Sequence, residues 1–286
     1  MAEGAHSTPD GPVAAGAVPA DLTAALEHLA RRGERGSPVL VASDFDGVVS
    51  PLVDDPSRSR PTPAAAQALA RLAAADPARV RTALVSGRHL EGLAAAAQAP
   101  AGMLLVGSHG AEHGRALADG VAHEPVDLTP EQAHDLARVT AALEAVAADA
   151  PGAWVEHKPT AAVLHVRLAS PQDAAAASTA ALEAASALGV PAQPGRDVVE
   201  AAVVPTSKGV AIETLRARTG AVAVFYMGDD LTDENAFRVM GADDVSVRVG
   251  PGETRAAHRV HGTDGAAAVL TALADLLAPE GAPAPS

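Results

Sequence analysis

Residues 38–47 read Pro38-Val39-Leu40-Val41-Ala42-Ser43-Asp44-Phe45-Asp46-Gly47, an apolar run that ends in two aspartates and a glycine. An apolar run of this length is typical of a buried parallel strand, and ligands bind at the loops that follow such strands. Because side chains alternate along an extended chain, the two carboxylates are predicted to point to one side and to share a metal or a substrate. The stretch therefore predicts an α/β fold with a site at the end of this strand.

Short apolar runs alternate with Ala- and Leu-rich helical segments over most of the chain. Strands separated by helices of this length predict a parallel, right-handed, doubly wound sheet. The predicted strands of the sheet are 38–42, 80–85, 103–106, 222–227 and 245–249. The predicted helices are 20–32, 63–75, 89–98, 208–218, 233–240 and 265–277.

The pattern changes between residues 113 and 205. Two β-like runs, joined by a Lys-Pro-Thr turn at 158–160, lie between two long helical segments, and a short β-like run follows. A hairpin with two helices predicts a small α+β module inserted into the larger sheet. The predicted strands of this module are 153–158, 162–168 and 197–201, and its helices are 130–149 and 171–188.

These patterns divide the chain into a core, a cap and two ends. A core with a doubly wound, Rossmann-like parallel sheet is predicted for residues 20–112 together with 206–278, and an inserted α+β cap for residues 113–205. The ends, 1–19 and 279–286, are rich in Ala, Gly, Pro and Ser and are predicted to be a disordered leader and tail.

The composition argues against several classes of protein. The 286 residues carry 21 Lys and Arg against 35 Asp and Glu, a formal net charge of -14. Such a charge repels nucleic acids and anionic lipids, and no stretch resembles a signal peptide or a membrane span. With no Cys in the chain, any metal must be bound by oxygen or imidazole ligands. We predict a cytoplasmic monomer that acts on a small molecule, with no nucleic-acid or membrane partner.

A second group of carboxylates follows the predicted strand 222–227, in the sequence Gly-Asp-Asp-Leu-Thr-Asp-Glu at 228–234. Asp229 and Asp230 are adjacent acids at the end of a buried strand, where they repel each other unless a cation binds. A site with oxygen ligands alone suits Mg²⁺. Asp233 has a second explanation, because an acidic residue stabilises the N-terminus of a helix whatever the function of the protein.

Two further polar residues are expected at the same edge of the sheet. Ser86 follows strand 80–85 and can hold an anion together with backbone N–H groups at a helix start, although Ser-Gly is also an ordinary turn sequence. Lys208 begins a helix and can neutralise a phosphate oxygen, although a lone Lys is more often a solvated surface charge. The order of the motifs is more informative than any one of them, since each lies at an expected loop of one sheet.

This order of motifs resembles the haloacid dehalogenase superfamily of aspartate-nucleophile phosphotransferases, from about residue 38 to residue 277. Within that superfamily the chain is similar to the trehalose-6-phosphate phosphatases. The motifs that carry the resemblance are Asp-Phe-Asp-Gly at 44–47 with Pro-Leu at 51–52, Ser-Gly-Arg at 86–88, Gly-Ser-His-Gly-Ala-Glu at 107–112 and Gly-Asp-Asp-Leu-Thr-Asp-Glu at 228–234. In that family a cap is inserted between the Ser and Lys motifs, where the pattern of the chain also changes.

The resemblance implies a Mg²⁺-dependent phosphatase that hydrolyses trehalose 6-phosphate to trehalose and inorganic phosphate, the last step of trehalose biosynthesis. It makes Asp44 the nucleophile that forms an aspartyl-phosphate, and Asp46 the group that protonates the leaving sugar oxygen and then activates water. Ser86 and Lys208 would hold the phosphoryl oxygens. The implied metal ligands are Asp44, Asp46, Asp229, Asp230 and Asp233.

The resemblance also implies substrate contacts in both predicted domains. In the core they are Gly47, Ser86, Gly87, Arg88, His109, Gly110 and Glu112. In the cap they are Glu156, Lys158, His165, Arg167, Arg196 and Glu200. Without the resemblance, the cap residues would be interpreted as an exposed hairpin face with mixed charges. Two positions depart from the family pattern, since Arg196 replaces the usual Lys and Ser207 replaces the usual Asp before the catalytic Lys.

Three other functions share part of this pattern. Phosphatases for sucrose phosphate or mannosyl-phosphoglycerate have the same core, although the motif at 107–112 and the cap residues favour the trehalose family. A phosphomutase has overlapping core motifs and would release little inorganic phosphate. A phosphosugar sensor without catalytic activity would not need Asp46, two residues after the phosphorylated aspartate.

Overall fold

The computed structural model of the protein describes residues 17–33, 37–204 and 206–278. This part of the chain contains eight α-helices and twelve β-strands. In chain order they are α1 (Ala20–Gly33), β1 (Val39–Ser43), α2 (Pro63–Ala74), β2 (Val80–Val85), α3 (Leu90–Ala97), β3 (Leu104–Gly107), β4 (Glu112–Leu117), β5 (Gly120–His123), α4 (Pro130–Ala148), β6 (Trp154–His157), β7 (Ala161–His165), α5 (Pro171–Ala187), β8 (Ala192–Gly195), β9 (Val198–Ala202), α6 (Lys208–Thr219), β10 (Ala223–Gly228), α7 (Asp233–Arg238), β11 (Val245–Val249), β12 (His258–Val260) and α8 (Gly262–Leu277). The predicted tail and the predicted leader, apart from residues 17–19, lie outside the described residues.

An eight-stranded sheet forms the centre of the larger part of the protein, in the order β12-β11-β10-β1-β2-β3-β4-β5. The strands from β12 to β3 pair in parallel, whereas β4 and β5 are antiparallel additions at one edge. β1 lies between β2 and β10, so that Val39 is in register with Val80 on one side and with Ala223 on the other. The parallel α/β sheet predicted from the sequence is confirmed.

Helices cover both faces of this sheet, which explains why β1 is apolar along its length. Val39 and Val41 pack in a cluster with α1, α2 and α8, whereas Leu40 and Ala42 pack in a second cluster with α6 and α7. Alternate side chains of a central strand enter opposite layers, and every residue of β1 is buried. The carboxyl end of β1 is therefore fixed from both faces.

The insertion begins later than the sequence predicts. Residue 113 is its predicted start, but β4 and β5 form a hairpin that pairs with β3 in the eight-stranded sheet. The described chain divides into two compact units, Pro125–Thr206, here called the cap unit, and the residues on either side, here called the core unit. The β4–β5 hairpin has a weak strand signal because the buried residues of β4 are Gly114 and Ala116, and both residue types are depleted in strands.

The cap unit has a four-stranded antiparallel sheet in the order β6-β7-β9-β8. α4 and α5 cover one face of it, where Leu143 and Ala181 pack in one cluster with Leu164 and Val199. β8 is not among the predicted strands, because its sequence Ala-Gln-Pro-Gly contains two residue types that strands disfavour. The opposite face of the sheet is not covered by α4 or α5 and is here called the open face of the cap unit.

Within the described residues, no helix combines the length and the apolar character that crossing a membrane requires. The cytoplasmic location, the monomeric state and the lack of a nucleic-acid partner stay predictions.

Candidate active site

Asp44, the predicted nucleophile, lies directly after β1. Its backbone N–H donates to the Met227 carbonyl at 2.9 Å, which joins the ends of β1 and β10. Asp44 is 4% exposed, and its carboxylate accepts hydrogen bonds from the Phe45 N–H at 2.6 Å and from Lys208 Nζ at 2.7 Å. Burial raises the pKa of Asp44 well above its ordinary value, against the opposing charge of Lys208. The carboxylate is therefore held in one orientation in a nearly dry site.

Lys208 supplies a buried cation at the start of α6. It is 2% exposed, and its ammonium donates to Asp44 Oδ2 at 2.7 Å and to Asp233 Oδ1 at 2.8 Å. Burial lowers the pKa of Lys208, but the charges of Asp44 and Asp233 outweigh burial and raise it above its ordinary value. Ser207 Oγ accepts from the Val210 N–H at 3.1 Å. Ser207, one of the two residues that depart from the family pattern, thus caps the helix that carries Lys208.

Asp233 is fully buried and connects several parts of the site. Its Oδ1 accepts from Lys208 Nζ at 2.8 Å and from Tyr226 Oη at 2.6 Å. Its Oδ2 accepts from the backbone N–H groups of Asp229 and Asp230, each at 2.9 Å. These four hydrogen bonds occupy the lone pairs of the carboxylate. Asp233 therefore fixes the backbone of the loop 228–233 through the N–H groups of Asp229 and Asp230.

Three carboxylates are close enough to bind one cation. One oxygen from each of Asp44, Asp229 and Asp233 lies within 4.8 Å of the other two. Hard divalent cations prefer carboxylate oxygens, so this group of acids fits an ion such as Mg²⁺, with Asp44 and Asp229 as ligands because the lone pairs of Asp233 already accept hydrogen bonds. Gly47 has φ of +79°, and a Cβ at this position would overlap the Asp229 carboxylate. Glycine therefore lets the loop after β1 approach the loop after β10.

The adjacent acids Asp229 and Asp230 have different surroundings. Burial and the charges of Asp233 and Asp230 raise the pKa of Asp229 to about 6. Burial also raises the pKa of Asp230, but Lys208 and a hydrogen bond from Thr232 outweigh it and lower the value to about 2. Asp230 Oδ1 accepts from both the N–H and the hydroxyl of Thr232, each at 2.7 Å. Of these two acids, Asp229 is therefore the one whose ionisation a bound cation would favour more.

Asp46, the second aspartate of the opening motif, faces a different partner from Asp44. Its carboxylate accepts from Arg88 Nε at 2.6 Å and Nη2 at 2.8 Å, and Ser59 Oγ donates to it at 2.9 Å. Arg88 lies over the Phe45 ring, 5.4 Å from its centroid, and its hydrogen bond to Asp46 raises the pKa of the guanidinium. Strand β1 ends before Asp44, so the alternation of an extended chain does not reach Asp46. The two carboxylates therefore have different protein partners, and their sharing of a metal or a substrate stays a prediction.

Ser86 lies at the end of β2, which pairs in parallel with β1, and so belongs to the same edge of the sheet as Asp44. It is 2% exposed, and its Oγ accepts from the Arg88 N–H at 3.2 Å. The Ser86 carbonyl accepts from the His109 N–H at 3.0 Å. Gly87 leaves room for the His109 ring, because a Cβ would lie 2.5 Å from it. The turn after β2 is thus packed against the loop that contains His109.

The loop at 107–112 contains two residues, Ser108 and His109, with φ of 48° and 56°. The Glu112 carboxylate accepts from the Ser108 hydroxyl and from the Leu90 N–H, the latter at 3.0 Å. Gly110 has φ of +113°, and a Cβ there would lie 2.8 Å from the backbone at the start of α6. Glu112, predicted to contact substrate, therefore holds this loop and the start of α3 in the described structure.

The predicted sugar-binding residues of the cap unit lie on the open face of its sheet. Register pairs Glu156 and Glu200 with the same residue of β7, which places both side chains opposite α4 and α5. His165 Nε2 lies 2.8 Å from Glu156 Oε2, and Lys158 Nζ donates to Glu200 at 3.2 Å. These side chains therefore form one ion pair, Lys158 with Glu200, and one histidine–carboxylate hydrogen bond on the same surface.

A cavity of about 440 Å³ lies beside this face, lined by His165, Arg167, Arg196, Asp197 and Val198. Trp154 stacks on the His165 ring with centroids 4.7 Å apart and planes 5° from parallel. Trp154 is not among the predicted site residues. Its position two residues before Glu156 is the signal that the sequence contains, because residues i and i+2 of a strand share a face.

The chain is similar to proteins of one family. A family model described as trehalose-phosphatase matches residues 42–264. Two curated relatives, both named trehalose-phosphate phosphatase, are 36% identical over 217 residues (Mycobacterium avium, strain 104) and 32% identical over 215 residues (Mycobacterium marinum, strain ATCC BAA-535 / M). Each match covers 72% of this chain and 52% of the relative, so the chain spans about half the length of the curated relatives it matches.

Solved structures show the same fold. Aspergillus fumigatus trehalose-6-phosphate phosphatase has a TM-score of 0.62 at 21% identity, covering 87% of this chain and 97% of that chain. A haloacid dehalogenase-like hydrolase from Bacteroides thetaiotaomicron has a TM-score of 0.59 at 13% identity, covering 82% and 98%. These likenesses show the fold predicted from the sequence, and the match over residues 42–264 shows that the chain belongs to the trehalose-phosphatase family.

Proposed function

We propose that this chain hydrolyses trehalose 6-phosphate to trehalose and inorganic phosphate with Mg²⁺, as the last step of trehalose biosynthesis. One observation carries the proposal: buried Asp44 is hydrogen-bonded to the Lys208 ammonium and shares a group of oxygens with Asp229 and Asp233. A carboxylate beside a fixed cation and a cluster of metal-binding acids is what phosphoryl transfer through an aspartyl-phosphate requires. Membership of the family supports the choice of substrate.

The metal ligands in this proposal are the carboxylates of Asp44 and Asp229 and the backbone carbonyl of Asp46. Mg²⁺ bound there would neutralise the repulsion between the substrate phosphate and the carboxylates. Asp233 and Asp230 support the site through hydrogen bonds, since the lone pairs of Asp233 are already used.

In the first step, a carboxylate oxygen of Asp44 attacks phosphorus and the bond from phosphorus to the sugar oxygen breaks. Asp46 gives a proton to that leaving oxygen, which requires Asp46 to move away from Arg88. Lys208 uses two N–H groups for Asp44 and Asp233, and the third can donate to a phosphoryl oxygen, as can the Ser86 hydroxyl. These donors stabilise the charge on the transferred group.

In the second step, water hydrolyses the aspartyl-phosphate. Asp46 takes a proton from the water molecule, whose oxygen attacks phosphorus. The bond between phosphorus and Asp44 breaks, which restores the free carboxylate and releases inorganic phosphate. The same Asp46 side chain thus acts first as an acid and then as a base.

Recognition of the sugar is assigned to the open face of the cap unit. Glu156 and Glu200 are acceptors for sugar hydroxyls, and Lys158, Arg167 and Arg196 are donors. The hydrogen bonds that Glu156 forms with His165 and Lys158 forms with Glu200 would be exchanged for hydrogen bonds to the ligand. Arg196 keeps the positive charge that the family has at this position but presents a planar fork of donors.

A phosphate-release assay over a panel of sugar phosphates, with and without EDTA, tests the proposal. The panel contains trehalose 6-phosphate, sucrose 6-phosphate, glucose 6-phosphate and mannosyl-3-phosphoglycerate. We expect preference for trehalose 6-phosphate, loss of activity in EDTA and recovery with Mg²⁺. Similar rates with all of these sugar phosphates would overturn the proposed substrate preference. Full activity in EDTA would overturn the proposed metal requirement. Transfer of phosphate within a sugar phosphate without its release would identify a phosphomutase.

A further inference from the structure

The core unit contains a buried hydroxyl that the proposed mechanism does not use. Tyr226, in β10, is 0% exposed, and its Oη donates to Asp233 Oδ1 at 2.6 Å. The same oxygen accepts from Lys208 Nζ at 2.8 Å, and Lys208 also donates to Asp44 Oδ2 at 2.7 Å. Tyr226, Asp233, Lys208 and Asp44 therefore form one chain of hydrogen bonds that ends on the proposed nucleophile.

We propose that Tyr226 is a positioning residue for phosphoryl transfer, whose hydroxyl keeps the Lys208 ammonium shared between Asp233 and Asp44. The inference rests on the proposed function and goes beyond it. Tyr226 touches neither the phosphoryl group nor Asp44 in this role. It acts through Asp233, which in turn sets the direction of Lys208.

The reason lies in the competition between two carboxylates for one cation. Lys208 is 2.7 Å from Asp44 and 2.8 Å from Asp233, so neither carboxylate holds the ammonium alone. The hydroxyl of Tyr226 offsets part of the negative charge on Asp233 Oδ1, as two backbone N–H groups do on Oδ2. Without this hydroxyl, Asp233 would attract Lys208 more strongly, and the ammonium would move away from Asp44 and the transferred phosphoryl group.

The surroundings of Tyr226 suit a permanent donor. Burial and the charges of Asp233 and Asp44 raise the pKa of Tyr226 well above its ordinary value, so the hydroxyl keeps its proton. The Phe237 ring packs edge-on against the Tyr226 ring, with centroids 5.8 Å apart and an angle of 63° between the planes. The ring is thus held by packing, and the hydroxyl is held by Asp233.

The first test compares Tyr226→Phe with Phe237→Leu as a matched control. Tyr226→Phe removes the hydroxyl and keeps the ring, whereas Phe237→Leu removes ring packing and keeps the hydrogen bond to Asp233. We expect kcat of Tyr226→Phe to fall about tenfold, with KM within about twofold of wild type and an unchanged Mg²⁺ requirement. We expect kcat of Phe237→Leu to stay within about twofold of the wild-type kcat, although its Tm should be lower than that of wild type. A wild-type kcat in Tyr226→Phe, or losses of kcat that follow Tm in both variants, would overturn the inference.

The second test observes Tyr226 directly in the full chain, with its hydroxyl in place. Tyr226 is the only Tyr of the chain, so biosynthetic incorporation of 3-fluorotyrosine labels this position alone. We expect its fluorine NMR signal to shift when inorganic phosphate and Mg²⁺ are added together, because the Lys208 ammonium is then redistributed. The shift should be lost in Lys208→Met. An unchanged signal in the wild-type chain overturns the inference.

The fluorine measurement separates this inference from the proposed function, because it requires no turnover of a sugar phosphate. If the chain releases no phosphate from trehalose 6-phosphate but the Tyr226 signal responds to phosphate and Mg²⁺, the proposed substrate fails and the coupling of Tyr226 to the site stands. If the chain hydrolyses trehalose 6-phosphate and the signal does not respond, the proposed function stands and the role of Tyr226 fails.

Discussion

The proposed catalytic group and the open face of the cap unit both consist of paired charges, but the pairs differ in burial. The side chains of Lys208 and Asp44 are 2% and 6% exposed and belong to a larger network, whereas those of Lys158 and Glu200 are 22% and 40% exposed. Removing one partner of a buried pair leaves an uncompensated charge in a dry environment, while an exposed pair contributes little to stability. The charged groups of the core unit are thus held in a fixed geometry, whereas those on the open face of the cap unit can exchange partners, as the proposed sugar recognition requires.

The largest effect is expected when the nucleophile is removed from the buried network. Asp44→Asn keeps the shape of the side chain but cannot form the phosphoenzyme, so phosphate release should fall on the order of 10³-fold or more. Steady-state phosphate release from trehalose 6-phosphate checks this. Asp54→Asn, a change at an exposed aspartate of the core unit, serves as the control and should leave the rate unchanged. If Asp44→Asn kept a tenth of the wild-type rate, Asp44 would not be the nucleophile.

The second-largest effect is expected when a Lys is replaced by Met in the core unit, and the same substitution in the cap unit provides the comparison. Lys208→Met should lower the free energy of unfolding by about 3–5 kcal/mol and kcat by about 10²-fold, because Asp44 and Asp233 lose their buried cation. Lys158→Met should lower the free energy of unfolding by less than about 1 kcal/mol. Urea denaturation and phosphate release measure both quantities. Equal losses in the free energy of unfolding in Lys208→Met and Lys158→Met would show that burial of the ion pair does not determine its contribution to stability.

A smaller effect is expected from the pH dependence of stability in the metal-free protein. The pKa of Asp229 rises from 3.8 to about 6 on folding, so between these values the folded chain holds a proton that the unfolded chain has released. The contribution of Asp229 to the free energy of unfolding therefore falls as pH rises from about 4 to about 6. Asp229→Asn removes this contribution and should be more stable than wild type at pH 7 in EDTA, but not at pH 3.5.

Urea denaturation in EDTA between pH 3.5 and pH 7 measures this difference. Parallel curves for Asp229→Asn and wild type would contradict the assignment of the pH dependence to Asp229. Added Mg²⁺ should stabilise wild type at pH 7 by binding the folded state and should stabilise Asp229→Asn much less. Asp54→Asn again serves as the control.

The smallest effect on stability is expected on the open face of the cap unit. Glu200→Gln should raise KM for trehalose 6-phosphate about tenfold with kcat within about twofold, as expected when binding is lost equally from ground and transition states. Trp154 is the only Trp of the chain and stacks on His165, so its fluorescence should report ligand binding to this face. The dissociation constant from a fluorescence titration should rise in Glu200→Gln. The control is Glu183→Gln, on the exposed surface of α5, which should change neither KM nor the dissociation constant. If Glu200→Gln instead lowered kcat at constant KM, Glu200 would act in the catalytic step and not in substrate binding.

The sequence predicts that Asp44, Lys208 and Asp229 lie close together, because their positions follow from a general rule for parallel sheets. The carboxyl ends of parallel strands meet at one edge of a sheet, so apolar runs followed by polar residues are enough to bring distant motifs together. Ser86 follows the same rule, at the end of β2. The fold class was predictable for the same reason, since strands separated by helices leave few topologies.

The partners of individual side chains were less predictable. Asp46 pairs with Arg88, 42 residues away, because the chain turns after β1, and strand alternation says nothing about a turn. Glu112 caps α3 through a loop whose positive φ values have no signal in the sequence. Tyr226 carries a signal that sequence reasoning missed, since a lone hydroxyl in a buried strand needs a hydrogen-bond partner.

The pairing of β1 with β10 has a consequence for how the protein is made. Lys208 follows Asp44 by 164 residues, and the chain passes through the cap unit before it reaches α6 and β10. At a ribosomal rate of about 5–20 residues per second, Asp44 is synthesised roughly 10 to 30 s before its cation exists. During that interval the antiparallel cap unit, whose contacts are local, can fold while β1 still lacks one neighbour. The proposed phosphatase activity thus requires α6 and β10 to join the sheet after the cap unit has been synthesised.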